Sequence, residues 1–104
     1  MLEQGRFPML FMCYLNWTDQ AARAMKDAPR RFESSKAIIE KLGGRVVSAY
    51  VTTGQYDVAL TLDMPSGDAM TQFVVSMSGH GNARTTTVRA WTPEEFGKIA
   101  AEAP

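Results

Sequence analysis

The side chains best placed to move a proton lie close together in TTGQYDVAL (53–61), where Tyr56 and Asp57 put a phenol beside a carboxylate. At the mouth of a pocket such a pair could act as donor and acceptor in general acid–base chemistry. The same residues can instead build a turn. Gly54 would then supply a permissive backbone, Tyr56 would pack at the base of a hairpin, and Asp57 would accept amide hydrogen bonds at the start of the next strand. Gly and Asp are common at hairpins, so the turn is the preferred reading, with the site bordering it as the alternative. His80, in SGHGN, is the only imidazole and the only side chain that ordinarily titrates near neutrality. It is either a general base or a solvated loop residue; its two glycine neighbours favour the loop.

The remaining reactive types offer less. Cys13 lies in the apolar run MLFMCYL without a basic neighbour, which predicts a buried, inert thiol. One cysteine and one histidine are too few for an all-protein zinc site, so no metal centre is expected. Met9, Met12, Met64, Met70 and Met77 fall where core packing accounts for them. Arg84 and Arg89 flank TTTV on opposite parities, so at most one faces a given pocket. No phosphate loop, serine triad or metal-ligand spacing occurs, and no cofactor is expected.

The 104 residues suit one domain, placed at 8–104 with residues 1–7 as an N-terminal extension. Eleven basic and eleven acidic residues cancel, which argues against nucleic acid and anionic lipid as partners. No apolar run approaches the roughly 20 residues that a bilayer requires. A soluble protein in a reducing, cytoplasmic setting is the expectation.

The elements that must position these residues alternate. PMLFMCYLNW (8–17) is apolar on both parities, as in a central strand covered on both faces. Thr18 can cap a short helix, which Asp27-Ala28-Pro29 separates from a second helical stretch. In that stretch Phe32, Ser35, Ile39 and Leu42 share a face with Ile38 adjoining, and Gly43-Gly44 ends it. Strands at 45–53 and 57–64 flank Gly54-Gln55-Tyr56. A helix opens at Pro65-Ser66 with Ala69 or Met70, Phe73 and Met77 inward. A polar strand at 82–91 precedes TPEEFGKIAAEA, where Thr92 and Glu95 form a capping box.

The order β-α-β-β-α-β plus a C-terminal helix is that of an α+β, ferredoxin-like antiparallel sheet with strand order 4-1-3-2. By parity, Val47, Ala49, Val51, Val58, Leu60 and Leu62 should face the helices. Ser48, Tyr50, Thr52, Ala59, Thr61, Thr85, Thr87 and Arg89 should then line the opposite face. That mixed surface suits either a second subunit or a small organic ligand. Ser48, Tyr50, Tyr56, Asp57, Thr61 and Arg89 are accordingly the expected ligand-binding residues, and Asp57 and His80 the catalytic candidates.

The cluster Gly54, Tyr56, Asp57, together with Trp17-Thr18, Lys26-Asp27-Pro29-Arg30, EKLGGRVVSAY (40–50) and GNARTTTVRAWTPEEF (81–96), resembles the GYD family. The resemblance implies a dimeric α+β barrel, a group that includes stress-responsive barrels, haem-degrading monooxygenases and effector-binding domains of leucine-responsive-type regulators. It makes an axial haem role for His80 conceivable, and it carries no reaction of its own. The expectation is therefore a homodimer or larger assembly that binds a small molecule, with sensing as one use. The alternatives are a cofactor-independent monooxygenase- or isomerase-like enzyme using Tyr50, Tyr56, Asp57 or His80, and a structural assembly module.

Overall fold

The computed structural model describes residues 8–104, so the extension expected at 1–7 lies outside the described residues. In chain order the elements are β1 (Leu10–Trp17), α1 (Asp19–Arg23), a 3-10 turn (Met25–Asp27), α2 (Ala28–Lys41), β2 (Arg45–Val51), β3 (Val58–Asp63), α3 (Gly67–His80), β4 (Ala83–Ala90) and α4 (Pro93–Glu102). All strand pairs are antiparallel and the sheet order is β2-β3-β1-β4, the expected ferredoxin-like arrangement with an added C-terminal helix. No helix among the described residues is long and apolar enough to cross a membrane.

The helix starts follow local chemistry. Thr18 accepts the Ala21 amide at 3.2 Å while its own hydroxyl donates to the Gly81 carbonyl at 2.8 Å. One residue thus caps α1 and fastens it to the turn after α3. Ser66 caps α3 by accepting from Ala69, and Thr92 with Glu95 closes the capping box of α4. Pro29 stands in the first turn of α2, where its missing N–H costs no intrahelical bond.

Register settles which residues face the helices. On β1 these are Phe11, Cys13 and Leu15, all buried, while Leu10, Met12 and Tyr14 face the other way. Leu60 and Leu62 of β3 pair with Cys13 and Phe11 and join them in the core. Ile39 from α2 and Met70, Phe73 and Met77 from α3 complete it. Five side chains (Phe73, Ile39, Leu62, Met64 and Cys13) are almost wholly withdrawn from water, each apolar burial contributing about 1.5–3 kcal/mol.

Three parity expectations need correction. Thr85, Thr87 and Arg89 lie opposite Leu15, Cys13 and Phe11, and therefore on the helix side, where the Thr87 hydroxyl meets Cys13 Sγ. β4 carries threonine on both parities, so its own pattern could not fix its face. A bulge between Val46 and Ser48 turns Val46, not Val47, toward the core, leaving Val47 exposed. Phe32, expected on the packed face of α2, is also exposed, because only the C-terminal half of that helix seats firmly through Ile39.

Candidate functional site

A concavity lies beneath the N-terminal half of α2. Between α1, the 3-10 turn and α2 on one side and the helix-facing side of β1, β2 and β3 on the other lies a cavity of about 690 Å³. Small residues leave the space: Ala24, Ala28 and Ser35 on the helical side, Ala49 on β2. Leu15, Leu60, Val58, Phe73 and Met77 give it an apolar floor. Trp17, Gln20, Arg31, His80 and Asn82 bring polar atoms to its border. A concave, mostly apolar space with few polar groups is the usual shape of a small-molecule site, and its volume falls within the roughly 300–1,000 Å³ typical of one.

Several border groups are already engaged. Gln20 donates through Nε2 to Asn82 Oδ1 at 3.0 Å and to the His80 carbonyl at 3.3 Å. Arg31 donates to the Ala24 and Ala21 carbonyls at 2.7 and 3.4 Å, stitching α2 to the short helix before it. His80 Nδ1 lies 2.7 Å from the Ser76 carbonyl oxygen. A carbonyl only accepts, so Nδ1 carries the proton and Nε2 of the neutral ring is an acceptor. His80 is the last residue of α3, not a loop residue as its glycine neighbours suggested.

The Gly54–Asp57 segment is a structural hairpin base. Gly54 has φ +95°, a backbone state that a β-carbon makes costly. Thr52 donates its amide to the Asp57 carbonyl at 2.8 Å and its hydroxyl to the Tyr56 carbonyl at 2.7 Å. The Asp57 amide donates to Leu15 O at 2.9 Å, and Asp57 Oδ2 accepts the Trp17 amide at 2.9 Å. Asp57 thus holds the end of β1, and the carboxylate is committed to a backbone partner. Tyr56 stacks on Tyr14 with ring centroids 4.8 Å apart. Asp57→Ala should cost about 1–3 kcal/mol by stranding the Trp17 amide, whereas Asp57→Asn keeps an acceptor oxygen and should cost less than about 1 kcal/mol. Chemical denaturation of both variants checks this; equal losses would contradict the amide-accepting role.

The other expected site residues divide between surfaces. Ser48 pairs with Thr61 and Tyr50 with Ala59 on the helix-free face, across from Met12 and Tyr14 of β1. Tyr50, 69 % exposed, also borders the cavity. Arg89 sits on the opposite face, its guanidinium 5.6 Å from the Phe11 ring centroid and 4.6 Å from that of Trp91. It donates to the Leu10 carbonyl at 3.1 Å and also to that of Ala90, which makes it a brace between strand ends. Of the six expected ligand-binding residues, only Tyr50 borders the cavity; of the two catalytic candidates, only His80 does.

The remaining reactive group, Cys13, is buried. Burial pushes the Cys13 thiol upward, and the Thr87 hydroxyl offsets this in part. At neutral pH the thiol is protonated whether folded or not, so burial costs nothing there. Above the ordinary thiol range the unfolded chain ionises more readily, and stability falls. Among the described residues no three His, Cys, Asp or Glu side chains converge in a way that could hold a metal ion.

The sequence missed the cavity because its walls are small and apolar residues from four segments. The nearest signal was the Asp27-Ala28-Pro29 break followed by Phe32 and Ser35 on one helix face. Residues 11–100 match the family model described as GYD domain. No curated protein matches the chain.

Proposed function

Because the chain belongs to the GYD domain family, we propose that it acts as a homo-oligomeric binding protein that takes a compact, largely apolar organic molecule into the cavity beneath α2. The observation that carries this reading is the cavity itself: about 690 Å³, floored by Leu60, Phe73 and Met77 and bordered by His80, Asn82 and Trp17. An apolar floor supplies affinity, and a few polar groups at the border supply orientation. His80 Nε2 as an acceptor and the Trp17 indole N–H as a donor favour a ligand with one hydroxyl or carbonyl on a hydrophobic frame.

Oligomerisation is supported by the helix-free face. Leu10, Met12, Tyr14, Ala59, Tyr50 and Val88 share it, and a monomer would leave this apolar band in water. Contiguous apolar patches of that kind mark interaction surfaces. Pairing two such faces yields the dimeric barrel implied by the family resemblance.

The test is a cavity-filling variant. Ala49→Phe places a ring in the empty volume, so it should weaken binding of a fluorescent naphthalene dye by at least about tenfold while preserving or raising the melting temperature, since filling a void adds packing contacts. Dye affinity equal to that of the unaltered protein would place binding elsewhere. A catalytic reading retains one specific support, the position of His80 on the cavity border. It requires turnover of some cavity ligand that His80→Ala abolishes without loss of binding.

A further inference from the structure

We infer, resting on the cavity-binding reading above, that the ligand held beneath α2 is a compact hydrophobic monocarboxylate. Its carboxylate is bound by the half-buried guanidinium of Arg31 at the cavity border.

Charge along that border is uneven. Asp27 and Arg30 both line the cavity and pair with each other at 3.3 Å, largely in water. Arg31 lines it too, yet has no carboxylate partner among the described residues. The other arginines that could be compared with it are differently placed. Arg45 is mostly exposed and pairs with Asp63 at 3.5 Å, while the half-buried Arg89 is covered by the Phe11 and Trp91 rings. Arg31 therefore carries a permanent positive charge beside an apolar space, with no side chain of opposite sign against it. In such surroundings an incoming anion is held more strongly than in bulk water.

The hydrogen bonds of Arg31 leave it able to bind. Nη1 donates to the Ala24 carbonyl at 2.7 Å and Nη2 to the Ala21 carbonyl at 3.4 Å. A guanidinium has five N–H donors, so three stay unused, enough for a bidentate grip on a carboxylate. The two bonds already made hold the fork in place before a ligand arrives, which lowers the ordering cost of binding. Asn82, also on the border, adds a second donor. Its Oδ1 accepts from Gln20 Nε2, which donates to the His80 carbonyl as well. A backbone carbonyl only accepts, so the Gln20 nitrogen faces both groups and Asn82 is left with the two N–H donors of its own amide.

The charge balance and the floor together narrow the ligand. One unpaired cation matches a single negative charge, which favours a carboxylate over a phosphate monoester that carries nearly two. Leu60, Phe73 and Met77 cover an aryl or alkyl body, whose burial supplies most of the affinity. Small inorganic anions gain nothing from that floor and keep their hydration in water.

The test compares naphthoate, naphthamide and naphthyl phosphate, which share one apolar frame, by calorimetry at neutral pH and low salt. Naphthoate should bind the unaltered protein at least about tenfold more tightly than naphthamide. Arg31→Gln should weaken naphthoate at least about tenfold and leave naphthamide within about twofold. Equal affinities for naphthoate and naphthamide, both lost in Ala49→Phe, overturn the carboxylate assignment and leave the cavity reading standing. Equal weakening of both probes in Arg31→Gln makes Arg31 a brace only and overturns its role. Tighter binding of naphthyl phosphate than of naphthoate overturns the single charge. Binding that survives Ala49→Phe, or no binding of any probe, overturns the cavity reading and the carboxylate with it. Should Arg31→Gln fail to fold, the naphthoate and naphthamide affinities of the unaltered protein still decide.

Discussion

Phe73→Ala is expected to remove about 3–5 kcal/mol of folding stability, a large share of the roughly 5–15 kcal/mol that a small domain holds. Phe73 is fully buried in the middle of α3 and packs in the cluster with Leu60, Leu62 and Met77. Removing its ring deletes both the transfer free energy and the contacts of the surrounding side chains. For a domain of this length that loss corresponds to a fall in melting temperature of roughly 15–30 °C. Phe73 also borders the cavity beneath α2, so the new void joins a space already reachable from outside. A small aromatic solute such as toluene should therefore restore part of the lost stability, because a ligand that binds only the folded state stabilises it by mass action. Calorimetry with and without toluene measures both effects. A loss under about 1 kcal/mol would mean that α3 does not seat on the sheet through this ring.

Gly44→Val is expected to cost about 3 kcal/mol, near the upper end for overpacked sites. The reason is contact, not torsion. A β-carbon at Gly44 would overlap Met64 Sδ and come within 2.9 Å of the Asp63 carbonyl oxygen. Met64 is fully buried and its amide donates to the Met9 carbonyl at 3.0 Å, so neither the thioether nor the backbone can yield freely. Gly44 also donates to the Ile39 carbonyl at 3.0 Å, closing the end of α2. A side chain there would push α2 and the end of β3 apart. Urea denaturation of Gly44→Val, with Gly44→Ala as a milder step, checks the prediction. Unchanged midpoints for both would place the turn farther from β3.

Packing already engages several of the reactive side chains. Asp57 pairs with the Trp17 amide, Arg89 is engaged between Phe11 and Trp91, and Cys13 is sealed under Thr87. His80 borders the cavity with Nδ1 bonded to the Ser76 carbonyl.

What the sequence determined by itself was everything fixed by local pattern. The caps at Thr18, Ser66 and Thr92, the break at Pro29 and the hairpin about Gly54 follow from side-chain hydrogen bonds and backbone torsions within a few residues. The strand order follows from those elements, because an apolar β1 must lie centrally and a threonine-rich β4 at an edge. Tertiary structure alone decided which way β4 faces, since a strand with threonine on both parities takes its orientation from its partner's register. It alone displaced Val47 in favour of Val46 through a bulge that costs one residue and leaves no mark in composition. The cavity was likewise invisible in sequence. It arises where Ala24, Ala28, Ser35 and Ala49, far apart along the chain, meet and fail to fill the volume between α2 and the sheet, a property of summed side-chain volumes that no single segment carries.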